Sequence, residues 1–358
     1  MIRKTICLLG KILFLFKKRK VKDDVNKILV VRSGAIGDVV MTTPFLKSLN
    51  LKFPKAEIVY LVGEWSKSIL SGNKSIDKVI SFDDDIVYKK KLFKLIKLIC
   101  LIRKEKFDLC YILDKSYHWS ILGWLFKIKF RVGFDRFGEG FANNKNVFYD
   151  GSKYEVDYNL ELIDGSDSSM EIVLDKKDIK FAEGFVKKKK LNGFIGIAPG
   201  GAKNPGQEMS IKRWPLEKYI SLIEKLCLNN KIVLFGGPGD KEIVEEIMLK
   251  VKNENLINVV GKTSLKQAAA LIKKSKLFIT HDSGLMHIAA STGVKQIVLF
   301  GPTPSHRFAP KNAVVIESKL KGCPCYDIYG GYDSKIGKEC MNNISVEDVL
   351  KKVKVLKL

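Results

Sequence analysis

Four loops of this chain gather residue types that can hold an anionic ligand and move a proton. In Arg32-Ser33-Gly34-Ala35-Ile36-Gly37-Asp38, two glycines let the backbone turn tightly and approach a substrate, and Asp38 supplies a carboxylate. An aspartate there either caps the following helix or, ionised at a cleft, accepts a proton from a hydroxyl. In Ala198-Pro199-Gly200-Gly201-Ala202-Lys203 the Gly-Gly turn exposes backbone N–H groups, and Lys212, just before Arg213-Trp214-Pro215, adds charge suited to phosphate. Taken alone, that stretch is also an ordinary loop with a solvated lysine. In Thr280-His281-Asp282-Ser283-Gly284-Leu285-Met286-His287, Ser283 and Gly284 present N–H groups at the positive end of a helix dipole, beside Asp282. His287 falls one turn further on. A lone helical histidine is more often structural, but the adjacent Asp282 favours a shared ligand. Finally, Phe235-Gly236-Gly237-Pro238-Gly239-Asp240 ends a strand, with Glu242 beyond it. Asp240 or Glu242 can hold ribose hydroxyls, or either can simply be the acidic start of a helix.

The elements that must position these loops alternate short β-branched runs with helical stretches. Strands are expected at Lys27 to Arg32, Glu57 to Val62, Lys78 to Phe82 and Phe107 to Leu113, with helices at Asp38 to Leu51 and Val87 to Lys104. The signal weakens from Gly151 to Asp178, where Gly165 to Ser169 reads as a linker. After a helix from Asp178 to Lys190, strands are expected at Phe194 to Ala198, Lys231 to Phe235, Ile257 to Val260, Leu277 to Thr280 and Gln296 to Phe300. Strands so short and apolar, separated by helices, imply parallel sheets covered on both faces. The fold class is therefore α/β, with two Rossmann-like domains facing across a cleft. The expected division is a basic amphipathic segment at 1–26, domains at 27–170 and 171–345, and a C-terminal helix at 346–358.

Composition narrows the partners. The net charge of +24 favours acidic ones. Only eight of the 63 basic residues are arginine, so a coding bias toward lysine accounts for the excess equally well. The aromatic residues are not interleaved with basic ones in an RNA-binding module, and nucleic acid is not expected as a partner. Met1 to Lys20 holds seven basic residues, no acidic ones and an apolar stretch from Ile6 to Phe16. It is too short to span a bilayer and suits a membrane interface. Cys7, Cys100, Cys110 and Cys227 sit in apolar runs and read as core residues of a reducing compartment. Cys323, Cys325 and Cys340 cluster in a late loop, where three thiols without a close fourth ligand make a weak zinc site.

In order along the chain, SGAIGDVVMTTPFL (33–46), APGGAKNPGQEMSIKRWP (198–215), LFGGPGD (234–240), THDSGLMHIAAS (280–291) and FGPT (300–303) resemble family 9 of the glycosyltransferases, the lipopolysaccharide heptosyltransferase family. The resemblance implies a GT-B fold, with the acceptor on the N-terminal domain and a nucleotide-sugar donor on the C-terminal one. It implies inverting transfer without metal or other cofactor, most simply of heptose from ADP-heptose to the inner core of lipopolysaccharide. Asp38 matches the general base, with Gly37 beside it on the acceptor side. Lys212 matches the donor-phosphate lysine, and Asp282, Ser283, Gly284 and His287 match the donor-binding turn, with Gly200 and Gly201 nearby. Thr263 lies where the family contacts the nucleobase, and Glu242 or Asp240 answers the ribose contact. Arg131 either touches an acidic acceptor or stabilises the fold. The late cysteines resemble a structural cluster found in many members. No Asp-x-Asp pair stands on the donor side, since Asp83-Asp84-Asp85 follows a strand of the first half. The loop from Gly201 to Lys212 is longer than in the best-known members, and Ser283 stands where threonine is frequent. An anionic glycolipid acceptor implies a cytoplasmic enzyme held peripherally at the inner membrane, through the N-terminal segment and the basic helix around Lys89 to Lys104. A family 9 enzyme using another nucleotide sugar on another surface glycan is the alternative within the class. A non-catalytic RNA-binding protein is the alternative outside it.

Overall fold

The structure, a computed structural model, describes residues 2–14, 24–88, 91–201, 203–204 and 206–356. The basic run Lys17 to Lys20, Lys89 of the basic helix, and Ala202 in the Gly-Gly loop lie outside the described residues. Two compact units are present, Met1–Met170 and Glu171–Leu358.

The first unit is built on β1 (Lys27–Arg32), β2 (Glu57–Gly63), β3 (Lys78–Phe82), β4 (Leu109–Ile112), β5 (Phe130–Asp135) and β6 (Lys145–Phe148), in spatial order β3-β2-β1-β4-β5-β6. All five pairings are parallel. β1 and β2 are buried almost throughout, which is why they read as near-continuous apolar runs rather than alternating ones. One face packs Leu29, Val31, Cys110 and Ile112 against Leu98, Ile102 and Trp119 of the helices Leu92–Lys104 and Tyr117–Leu125. On another side Phe45 of the helix Thr43–Lys52 meets Tyr111, ring centroids 5.2 Å apart.

The second unit repeats the plan with β7 (Ile195–Ala198), β10 (Ile232–Leu234), β11 (Leu256–Asn258), β12 (Leu277–His281), β13 (Gln296–Phe300) and β14 (Val314–Glu317), in order β11-β10-β7-β12-β13-β14. Its pairings are likewise parallel. β8 (Lys203–Asn204) and β9 (Gln207–Glu208) form a small antiparallel pair inside the long loop after β7. Val346 and Val349 of the helix Val346–Val355 enter this unit's core. In both sheets the strand order reverses beside the first strand, between β1 and β4 and between β7 and β12. Ligands of such sheets bind beyond the carboxyl ends of the strands at that reversal.

Several elements differ from the sequence reading. The single helix expected from Asp38 to Leu51 is two, Ile36–Val40 and Thr43–Lys52. Pro44 forces the break, because its ring would clash with the carbonyl of Val40 in a continuous helix; in the first turn of a new one it is tolerated. The helix expected from Val87 to Lys104 is likewise a short turn, Asp85–Tyr88, followed by Leu92–Lys104. The strands β5, β6 and β14 and the helices Tyr117–Leu125 and Ser334–Asn342 were not anticipated. β6 closes one edge of its sheet and is mostly solvent-facing, so it carries no apolar run to read. Cys7, Cys110 and Cys227 are buried as expected, but Cys100 is exposed, because the inward stripe of its helix is set by Leu98 and Ile102. Cys323 and Cys340 form a disulfide, Cα atoms 5.9 Å apart, and Cys325 stays free.

Candidate active site

In the second unit the site grows from the carboxyl ends of β7, β10, β11 and β12. Asp282 follows β12 directly and is 7% exposed. Its Oδ2 accepts a 2.8 Å hydrogen bond from Lys212 Nζ, across 70 residues of sequence. Burial works against the charge of Asp282, but the Lys212 ammonium outweighs it and, with His287, holds the carboxyl below its usual range. Ser283 is the N-cap of the helix Gly284–Thr292, and its side chain makes no capping hydrogen bond. The amino end of that helix, with its positive dipole, is thus placed beside a paired lysine and aspartate. Gly201, at φ +91°, lies so near this turn that a Cβ on it would sit 3.1 Å from Ser283 Cβ. His287 is buried one turn along the helix.

Asp240 has a different task from the one expected of an acid there. Its Oδ1 accepts the N–H of Gly201 and its Oδ2 that of Gly237, both at 2.8 Å. It therefore ties the loop after β7 to the loop after β10. Gly200 is required for this, since a Cβ would fall 2.3 Å from the Asp240 carboxyl carbon. Glu242 is exposed in the first turn of the helix Lys241–Lys250, and of the two acids it is the one turned to solvent. The loop after β11 adjoins through Gly261, whose N–H donates to Gly236 O at 3.1 Å. Thr263 follows two residues later, half-buried, just before the helix Leu265–Lys274.

Three side chains here were not anticipated. The rings of Phe308 and Tyr326 lie 5.9 Å and 5.4 Å from Lys212 Nζ, giving the ammonium an aromatic wall. Tyr326 comes from the loop closed by Cys323–Cys340, and its N–H donates to Pro302 O at 3.0 Å. His281, fully buried behind Asp282, accepts from or donates to Tyr219 Oη at 3.0 Å through Nδ1. Burial pushes its imidazole down to about 3, so it is neutral at physiological pH.

In the first unit Asp38 occupies the first turn of the helix Ile36–Val40, with Gly37 buried beside it. Its Oδ2 accepts the N–H of Ala35 at 3.1 Å, so it does act as a cap. Its Oδ1 faces Arg32 at 2.9 Å, and about a third of the side chain, 31%, stays open. Arg32 is itself held: one nitrogen donates to Leu113 O at 2.9 Å and lies 3.5 Å from Asp114 Oδ1. Asp114 in turn accepts from the N–H and hydroxyl of Ser33 at 2.7 Å and 3.0 Å. Gly34 leaves the room, because a Cβ would come within 2.7 Å of the Asp38 side chain. Beside this group Lys115 pairs with Glu155 at 2.6 Å over the rings of Phe134 and Tyr149. Burial lowers its pKa despite that partner, and Arg32 adds to the effect. The loops after β1 and β4 thus carry an alternating set of charges that no single motif announced.

Arg131 does not belong to this set. It stands near the start of β5, level with Cys110, and is 4% exposed. Its guanidinium donates to Ala142 O at 2.7 Å and to Ile128 O at 2.5 Å. These bonds are what the fold-stabilising alternative expects of Arg131, which stands at the amino end of its strand rather than the carboxyl end. Among the described residues no group of three His, Cys, Asp or Glu side chains is placed to hold a metal ion.

Two parallel sheets, each reversing its strand order beside its first strand, define a doubly wound, Rossmann-like α/β architecture in each unit. The family model of glycosyltransferase family 9 (heptosyltransferase) matches residues 95–328, and the chain belongs to that family. It is a glycosyltransferase of GT-B fold. Lipopolysaccharide core heptosyltransferase OpsX of Haemophilus influenzae is 26% identical over 355 residues, covering 93% of this chain and 97% of that protein. A glycosyl transferase family 9 structure from Veillonella parvula superimposes with a TM-score of 0.78 at 27% identity, covering 94% of this chain and 99% of that one. The Escherichia coli ADP-heptose lps heptosyltransferase II structure has a TM-score of 0.71 at 24% identity, covering 92% and 98%, a likeness of fold.

Proposed function

We propose that this enzyme transfers heptose from ADP-heptose to the inner core of lipopolysaccharide, with inversion and without a metal ion, at the cytoplasmic face of a membrane. The observation that carries the reading is the Lys212–Asp282 pair at the amino end of the helix Gly284–Thr292. Heptose as the transferred sugar draws on relatives such as the Haemophilus influenzae protein, named a lipopolysaccharide core heptosyltransferase. The ADP moiety draws on the family resemblance.

In this reading an acceptor hydroxyl gives its proton to the open part of the Asp38 carboxylate as its oxygen attacks the anomeric carbon. The bond from that carbon to the diphosphate oxygen breaks, and negative charge builds on the departing phosphate. Lys212 and the N–H groups at Ser283 and Gly284 balance that charge. Asp282 keeps Lys212 oriented, Gly200 and Gly201 let the diphosphate approach the backbone, and Thr263 and Glu242 flank the nucleoside. Arg32, tied to Asp114, holds Asp38 at a fixed rotamer.

Calorimetric titration with ADP, UDP, GDP and CDP, without added metal, tests the donor. A preference for ADP that disappears in Asp282→Ala supports the reading. A preference for another nucleotide replaces the donor, and binding to none overturns the site. Asp38→Asn is expected to keep ADP binding and lose transfer; equal loss of both would make Asp38 a cap alone.

A further inference from the structure

The first unit carries apolar side chains on its outside that its own packing does not use. In the helix Ile2–Phe14 the inward stripe is Arg3, Cys7, Gly10 and Phe14, at helical spacing. Arg3 reaches Glu139 at 3.3 Å, and a Cβ on Gly10 would lie 2.5 Å from the Phe141 ring. The Phe14 ring centroid is 5.5 Å from that of Trp124. Turned the other way are Leu8, Leu9, Ile12 and Leu13, with Leu13 74% exposed. A docked helix of a water-soluble surface shows polar residues there, and this one shows a second apolar stripe.

The stripe has neighbours. Trp124, itself 40% exposed, carries the surface onto the helix Tyr117–Leu125. Arg103 donates to Leu125 O at 2.7 Å and so brings the end of the helix Leu92–Lys104 alongside. That helix buries Leu98 and Ile102 but leaves Leu92, Phe93, Ile96 and Leu101 exposed, Phe93 by 83%. Neither the helix Ile2–Phe14 nor the helix Leu92–Lys104 contains an acidic residue, and Lys4, Lys11, Lys97 and Lys104 flank their apolar positions, while Arg3 and Lys94 are paired with Glu139 and Asp83.

We propose that this face docks the enzyme on an anionic lipid bilayer, with the helix Ile2–Phe14 lying in the interface plane. Its apolar positions are broken by Arg3, Lys4 and Lys11 within 13 described residues, which suits the interface plane rather than the hydrocarbon core. Charge decides the occupant. A second copy of this chain would bring the same cationic rim against its own, whereas anionic headgroups neutralise the rim as the acyl boundary takes up the leucines. The proposal rests on the membrane-glycolipid reading above and deepens it by naming the side chains that meet the lipid, Leu8, Leu9, Ile12, Leu13, Leu92 and Phe93.

The test is co-sedimentation of the full chain with vesicles of phosphatidylcholine alone and of phosphatidylcholine mixed equally with phosphatidylglycerol, both free of acceptor and donor. Binding is expected to the anionic vesicles, weakened by salt and lost on the neutral ones. Leu9→Glu combined with Leu13→Glu should lower it about tenfold or more, with unchanged circular dichroism and melting temperature, because both side chains already face solvent. Phe93→Glu should weaken it independently, and Lys4→Gln with Lys11→Gln should reduce the salt dependence. Equal pelleting of the leucine variant, or no binding to anionic vesicles, overturns the proposal. So does light scattering that finds a dimer in the parent chain and a monomer in the leucine variant. Because the vesicles hold neither substrate, failure here leaves the transferase reading intact, and failure of nucleotide binding leaves the vesicle result standing.

Discussion

Replacing Lys212 by methionine separates what the Lys212–Asp282 pair does for the fold from what it does for the reaction. The substitution keeps the aliphatic stem and removes the charge. Asp282 is then left 7% exposed without the ammonium that holds it ionised. Removing one partner of a fully buried pair costs 3–5 kcal/mol, and because 18% of the Lys212 side chain meets water, the cost here is about 2–4 kcal/mol. For a unit of this size that corresponds to a loss of about 5–15 °C in its calorimetric transition. Lys212→Met with Asp282→Asn removes both charges and should recover stability to within about 1 kcal/mol of the parent. Transfer should not recover, since both variants lack the charge that meets the leaving phosphate, and should stay at least about 100-fold down. Scanning calorimetry and initial rates on the four proteins of the cycle give both quantities. If Lys212→Met melts like the parent, the pair contributes nothing to the fold. If the double variant turns over normally, Lys212 has no part in the chemistry.

Other outcomes follow from the same geometry. His281 titrates at about 3 when folded, against an unfolded value near 6.5, so the unfolded chain binds the extra proton between them and stability falls as pH drops through that window. The full effect is on the order of 4–5 kcal/mol; His281→Gln should flatten the pH dependence of urea unfolding there, and an unchanged slope would refute the assignment. Gly200→Ala drives a methyl into the Asp240 carboxyl, costing about 1–3 kcal/mol and weakening nucleotide binding, checked by melting and calorimetry. Reducing Cys323–Cys340 releases a loop of 17 residues and should lower the melting temperature of the oxidised protein by an amount equivalent to about 3 kcal/mol. An identical melt with reductant would mean that the bond contributes nothing to stability. In a reducing compartment both thiols are expected to be alkylated on lysis.

The chain's local pattern determined the strands that lie in the middle of each sheet. KILVVR and QIVLF are dominated by buried Ile, Val, Leu and Phe because helices cover both of their faces, and that burial is written into composition. The loops with glycines beside Asp38, Asp240 and Asp282 were legible because a tight turn next to an acid restricts the residue types that fit. Pro44 was a local signal too, and reading past it joined two helices that its ring keeps apart. The tertiary structure alone decided which charges meet. Lys212 and Asp282 are 70 residues apart, and Arg32 and Asp114 are 82 apart, brought together by parallel strands whose pairing no local period encodes. It also withdrew Arg131 to the backbone carbonyls of its own unit and spent Asp240 on tying two loops together. It put Tyr326 over Lys212 from a loop with no helical or strand period. Sequence fixes what a segment can bury; only the folded sheet fixes which polar groups, far apart in the chain, are left facing one another.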